Sequence, residues 1–309
     1  MINKEKGLCW IAACLLFMGC HPEEPVARVA APRLLFTAEN GMQALSNVTA
    51  FVQACTPRDA MTPGAERAAK WLQDKLVSFG LKNATLDTFT AKTPYGDRTF
   101  HNVEAVIPGQ TARTILLLSH FDTKSGISPA FQGANDGGSS TGLLLELARI
   151  IAAAGTPRYT IYIACLDGEE CSINFNAQDG LHGSRHLAAK MKQEKRAIAA
   201  TILMDMVGDR DLGLQLPHNG TGTLRAGALY AADTTGDRDH IALYDGAILD
   251  DHQPFLDQGF PAVDLIDFVY GDAPGKNNYW HTPDDTLDKL SAESLAITGR
   301  IVLEMINQL

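Results

Sequence analysis

The chain predicts a single α/β domain built on a mostly parallel β-sheet flanked by helices, and three observations carry that reading. The apolar runs TILLLSHFD, YTIYIACLD and ATILMDMVGD are near-continuous, as in strands buried on both faces. Segments of helical periodicity separate them, the alternation that builds parallel sheets. No shift in composition divides the 309 residues into two domains. Hydrophobic residues make up 45% of the chain, enough for a large core, and charged residues 20%, ordinary for a globular protein.

Residues 1–20 read as a lipoprotein leader. Lys4 and Lys6 precede an apolar stretch, Leu8 to Met18, too short to span a bilayer as a mature helix. It ends in LLFMGC, which resembles the bacterial lipoprotein cleavage box with Cys20 as the acylated residue. Phe17 stands where leucine is commonest, and an ordinary secretory signal is the alternative. Residues 21–32 (HPEEPVARVAAP) read as a flexible tether, which leaves 33–309 as the folded domain. This reading anchors the protein in a bacterial cell envelope, facing the periplasm, with the lipid as its only membrane contact. A net charge of −10 argues against nucleic acid and against a polybasic membrane patch.

Along the domain, a helix is expected over 38–54 and a second from Gly64 to Phe79, where Ala68, Ala69, Trp71, Leu72, Leu76 and Val77 share a face. Gly80 stops it. A strand pair over 84–107 turns at PYGD. Helices over 139–154 and 180–193 separate the three apolar strands, PAVDLIDFVY is a last central strand, and 289–307 is a closing helix. The Gly- and Asp-rich stretch 211–248 has no clear pattern. Cys55, Cys165 and Cys171 remain after the leader is removed. Cys165 and Cys171 bracket LDGEE, so a disulfide there would brace the turn; Cys165 as a plain buried strand residue is the preferred reading.

Strand ends carry the chemistry. His120 and Asp122 close the first apolar run, and Asp136 sits in the glycine-rich loop GANDGG that opens a helix. Glu169 and Glu170 follow the second run and Gly168, Asp205 ends the third, Asp250 and Asp251 lie in LDDHQPF, and His281 lies in YWHTPDDT. Ligands bind outside the carboxyl ends of parallel strands. Each residue has a bland alternative: a hydrogen-bonded structural histidine, a helix-capping aspartate, an exposed loop histidine. Adjacent Glu169 and Glu170 resist that treatment, because two like charges after a buried strand repel unless a cation is near. Together, His120, Asp136, one of the two glutamates, Asp205 and His281 describe hard donors for zinc, with the other glutamate left beside the metal to move protons. Asp122 is expected to orient His120.

The set HFDTK, GANDGGSSTG, LDGEE, MDMVG and WHTPDDT resembles the zinc-dependent family of bacterial aminopeptidases and glutaminyl-peptide cyclotransferases, over nearly the whole mature chain. The resemblance implies one α/β domain with a central mixed sheet. Three features resemble the cyclotransferases: QDGLHGSRHLA after the glutamates, LDDHQPFLDQGFP with Asp250 as its first aspartate, and Trp280 immediately before His281. Phe175 departs from the animal enzymes, which carry tryptophan there.

On that resemblance, one Zn²⁺ is held by Asp136, Glu170 and His281 and polarises the γ-carbonyl of an N-terminal glutamine. Glu169 carries a proton from the α-amine to the departing nitrogen, giving pyroglutamate and ammonia. Asp250 and Asp205 hydrogen-bond near Glu169, and Trp280 and Phe175 wall the pocket. The substrates implied are peptide or protein N-termini, taken by a monomer. The alternative is a di-zinc aminopeptidase, with His120 and Asp205 holding a second ion that Asp136 bridges. A lipid-anchored binding protein without catalysis is a third reading, which the presence of Glu169 opposes.

Overall fold

The computed structural model describes Met1 and residues 30–309, so the leader, Cys20 and most of the tether lie outside the described residues. In chain order the elements are α1 (Ala38–Cys55), α2 (Pro63–Ser78), β1 (Thr85–Thr93), β2 (Gly96–Ile107), β3 (Thr111–His120) and α3 (Gly138–Ala153). There follow β4 (Tyr159–Leu166), α4 (His182–Gln193), β5 (Ile198–Asp205), β6 (Leu214–Pro217), α5 (Gly222–Thr235), β7 (Ile241–Tyr244), α6 (Gln253–Asp257), β8 (Ala262–Ile266) and α7 (Ala292–Gln308). Among the described residues, no helix is long and apolar enough to cross a membrane.

Helix starts follow from capping side chains. Thr37 caps α1 in a reciprocal box, its hydroxyl accepting from the Asn40 amide at 3.3 Å while Asn40 Oδ1 accepts from the Thr37 amide at 2.9 Å. Thr62 caps α2 ahead of Pro63, which sits at the first helical position where its missing N–H costs nothing.

All eight strands form one mixed sheet in the order β1-β2-β4-β3-β5-β8-β6-β7. Its centre, β4-β3-β5-β8, is parallel. β1 with β2, β2 with β4, and β6 with β8 pair antiparallel. The stretch over 211–248 that lacked a pattern supplies β6, α5 and β7, strands of four residues that are too short to show a period.

The parallel centre is buried on both faces because its side chains alternate at period 2. Ile115 and Leu117 of β3, with Ile161, Ile163 and Cys165 of β4, enter the core beneath α1, α2, α3, α5 and α7. Leu116, Leu118, Tyr162, Ala164 and Leu166 enter a smaller core with Leu187, Ala188 and Met191 of α4 and Phe255 of α6. Truncating such a leucine to alanine costs about 2–5 kcal/mol. Cys165 is therefore a core residue of β4; it, Cys55 and Cys171 are all unpaired, and the Cys165–Cys171 bridge does not form. Since β3, β4, β5 and β8 run the same way, their carboxyl ends share one rim.

Candidate active site

At that rim the backbone is bent and then pinned. Gly168 has φ +74°, and a Cβ there would lie 2.6 Å from the Phe100 ring, so the turn presenting Glu169 and Glu170 requires glycine. Asp122, fully buried, then holds both glutamates by their backbone. Its Oδ1 accepts from the Glu169 amide at 3.1 Å and its Oδ2 from the Glu170 amide at 3.2 Å. Asp285 does the same for the Asp136 loop, accepting from the Asn135 amide at 2.7 Å, the Asp136 amide at 3.2 Å and the Tyr270 hydroxyl at 2.8 Å. Buried Arg58 donates to the carbonyls of Phe121, Gln132 and Gly133, each at 2.6 Å, and ties the two loops together.

Two donor groups result. Asp136, Glu170 and His281 offer ligand atoms that all lie within 4.8 Å of one another, and so do His120, Asp136 and Asp205. In the first group His281 Nε2 lies 2.9 Å from Glu170 Oε1 and 3.2 Å from Asp136 Oδ2. Burial pulls the His281 imidazole down, but its contacts with Asp136 and Glu170 outweigh that and raise it to about 9. Burial, and then the charge of Asp136, push the Glu170 carboxyl up to about 7. Asp136 is also buried, yet contacts with His120 and His281 hold it below the usual carboxylate range. His281 has φ +54°, a strained conformation for a non-glycine residue, and its ring stacks on Trp280 at 3.9 Å. In the second group His120 Nε2 lies 3.2 Å from Asp136 Oδ1 and 3.1 Å from Asp205 Oδ1. Asp136 thus belongs to both groups.

The donor set of the first group fits zinc. Two carboxylates and an imidazole converge there, and Asp136 Oδ2 is a buried oxygen that makes no hydrogen bond of good geometry, with His281 Nε2 3.2 Å away. Beside it opens a cavity of about 280 Å³, at the small end of ligand pockets. Glu169, Glu170, Asp205 and Asp250 line it together with Phe175, Phe268 and Trp280. Phe268 meets Trp280 edge-on at 5.0 Å. Burial raises the Glu169 carboxyl well above its ordinary value, with the charge of Glu170 adding to it. A carboxyl raised in this way is suited to taking up a proton and handing it on.

One expectation about contacts is corrected. Asp122 does not orient His120: its Oδ1 is 3.6 Å from His120 Nδ1, which has no hydrogen-bond partner, and the carboxylate is committed to the Glu169 and Glu170 amides. Asp205 and Asp250 line the cavity with Glu169. Asp205 pairs with His120, and Asp250 faces Asp264, reaching Glu169 through its charge and the shared cavity. Sequence reasoning missed Asp264, which hides inside the apolar PAVDLID, and Asp285, whose only signal was its place in WHTPDDT. It also missed Lys124, whose Nζ lies 3.5 Å from Glu170 Oε2.

Comparison with known proteins agrees with this geometry. The family model described as peptidase family M28 matches residues 102–306. A glutaminyl cyclase from an Acidobacteriales bacterium is 35% identical, covers 93% of this chain and 98% of its own, and superposes with a TM-score of 0.81. A zinc-dependent exopeptidase from Parabacteroides distasonis is 26% identical over 90% of this chain and 99% of its own, with a TM-score of 0.76. A glutaminyl-peptide cyclotransferase-like protein of Mus musculus is 30% identical over 77% of this chain and 68% of its own.

Proposed function

The chain belongs to peptidase family M28, and within that family we propose that it is a zinc-dependent glutaminyl-peptide cyclotransferase. It would convert N-terminal glutamine to pyroglutamate with release of ammonia. The observation that carries this reading is the small aromatic-walled cavity at Glu169, with Trp280 stacked on the candidate ligand His281. Cyclisation needs one side chain folded back on its own amine, and a close apolar wall holds that conformer while excluding the water that would hydrolyse it. Similarity to the Acidobacteriales cyclase supports the same reading.

Asp136, Glu170 and His281 would hold one zinc ion. When bound, zinc supplies Lewis-acid polarisation of the substrate's γ-carbonyl. The protein's own residues do the rest. Glu169 accepts a proton from the α-amine as that nitrogen attacks and returns it to the departing amide nitrogen. Trp280, Phe175 and Phe268 hold the glutamine side chain against that carboxyl. The ring C–N bond forms as the C–N bond of the γ-amide breaks, and ammonia carries away the nitrogen. The substrates are the N-termini of peptides or proteins, and the Cys20 leader supports action at the periplasmic face of a cell envelope.

One observation favours the second reading, a di-zinc aminopeptidase. His120, Asp136 and Asp205 form a second donor group that shares Asp136 with the first. The two readings separate when the purified protein is incubated with a Gln-initiated and a Leu-initiated peptide and the products are weighed. Loss of one ammonia from the first peptide alone supports the cyclotransferase. Loss of a whole residue from either peptide supports the aminopeptidase.

A further inference from the structure

One wall of the cavity stands on a loop with almost no core of its own. Over 171–180 only Cys171, Asp179 and Gly180 are buried, while Ile173, Asn174, Asn176, Ala177 and Gln178 are exposed. Phe175, half-buried in the middle of this loop, nevertheless lines the cavity with Glu169 and Trp280. A loop so exposed holds its shape through hydrogen bonds rather than packing.

Asp179 is the hub of those bonds. Its Oδ1 accepts from the Ser172 amide at 2.6 Å, and its Oδ2 accepts from the Ile173 amide at 2.8 Å and the Asn174 amide at 3.0 Å. Burial opposes its charge, but the three amides outweigh burial and hold its carboxyl below the usual carboxylate range. Its backbone also exchanges two hydrogen bonds with Asn176, at 3.1 and 3.2 Å. Arg185 of α4 donates to the Asn176 carbonyl at 2.8 Å. Phe175 therefore sits between two pinned residues. Beneath it, Gly180 leaves the ring lying against bare backbone: a Cβ there would stand 2.5 Å from the ring and 2.9 Å from the Glu169 carbonyl oxygen. That floor limits the ring from one side but offers no side chain to lock it, so the turn held by Asp179 sets where the ring stands.

We propose that Asp179 is a positioning residue for substrate capture: through the 172–174 turn it holds the Phe175 ring against the substrate's N-terminal side chain. Asp179 is not among the residues lining the cavity, so it acts on the substrate only through that ring. Its effect belongs to binding, because the ring walls the pocket and neither moves a proton nor holds metal. That the side chain held is glutamine rests on the cyclotransferase reading; the clamp itself does not.

A double-mutant cycle on the zinc-loaded full-length protein tests this, with Asp179→Asn and Phe175→Ala made singly and together. Asparagine keeps the size of Asp179 but cannot accept from all three amides. Asp179→Asn should raise KM for a Gln-initiated peptide about 3- to 10-fold, with kcat within about twofold of the wild type and bound zinc unchanged. In the Phe175→Ala background the same change should raise KM by less than about twofold, because the ring it positions is gone. An effect of equal size in both backgrounds, a wild-type KM in the single variant, or a loss that falls on kcat or on bound zinc overturns the proposal. If Asp179→Asn does not fold, Asp179→Glu, which keeps the charge but moves the carboxylate, takes its place in the cycle with the same expected and refuting results. If the wild type releases residues rather than ammonia, the cyclotransferase reading fails, and the clamp is judged by the same cycle on the Leu-initiated peptide.

Discussion

Replacing Asp122 with Asn tests whether the two glutamates are held by their backbone. The carboxylate accepts one amide on each oxygen, from Glu169 at 3.1 Å and Glu170 at 3.2 Å, at full burial. Asparagine offers one acceptor, so its NH₂ must face the other amide. The lost charge-assisted bond is worth about 1.5–3 kcal/mol, and the stranded amide costs about 1–3 kcal/mol, overlapping terms. Against them, removing the Asp122 charge relieves Asp167, a carboxyl raised by burial and by Asp122. The expected net loss is about 2–4 kcal/mol of stability, with zinc affinity lowered about 10- to 100-fold because Glu170 moves with its backbone. Denaturant unfolding of the zinc-free protein reads the first quantity, and competition with a chromophoric chelator reads the second. A stability change under about 0.5 kcal/mol together with unchanged zinc affinity would refute the reasoning.

The same geometry makes further predictions, and the leader sequence makes one more. Glu169→Gln should lower turnover by about 10² to 10⁴ while zinc stays bound, whereas Glu170→Gln should weaken zinc itself; metal analysis beside kinetics reads both, and the reverse pattern would undo the assignment. Zinc affinity should climb as pH rises toward 9, because His281, raised to about 9, and Glu170, raised to about 7, must both lose protons to bind it. For the metal-free protein the signs agree: the contribution of His281 is full below 6.5 and gone above about 9, while raised Glu170 disfavours the fold as pH passes from 4.5 to 7, so stability should fall with rising pH. Titration calorimetry in buffers of different ionisation enthalpy counts the released protons. Cys20→Ala should move the protein from the membrane fraction to the soluble fraction, since stable anchoring needs the acyl groups that residue would carry; a wild-type protein already soluble would show that the leader is an ordinary signal.

The frame of the fold was legible because its strands are apolar on both faces and end in charged residues. LLLSHFD, IACLDGEE and ILMDMVGD show where each strand stops, and parallel order then brings those ends to one rim. The donor residues were legible for the same reason: a carboxylate at the end of a buried run has few structural explanations. What the pattern did not show is which side chain faces which. Asp122 stands two residues from His120, and proximity in sequence suggested that pair; the amides it binds lie far along the sequence, and nothing local marks them. Asp264 sits within an apolar strand, where one acid looks like an interruption, and only the packing of α6 against β8 brings Asp250 to face it. β6 and β7 are short edge strands in a Gly-rich segment, defined by pairing rather than by composition.

The central claim, a cyclotransferase working with one zinc, is tested most directly by titrating zinc into the metal-free protein while following ammonia released from a Gln-initiated peptide. Release should rise in proportion to added zinc and reach its maximum at one equivalent per protein molecule, with Asp136, Glu170 and His281 filled. Activity that appears only as a second equivalent is added, or residue release without ammonia at any zinc level, would contradict it.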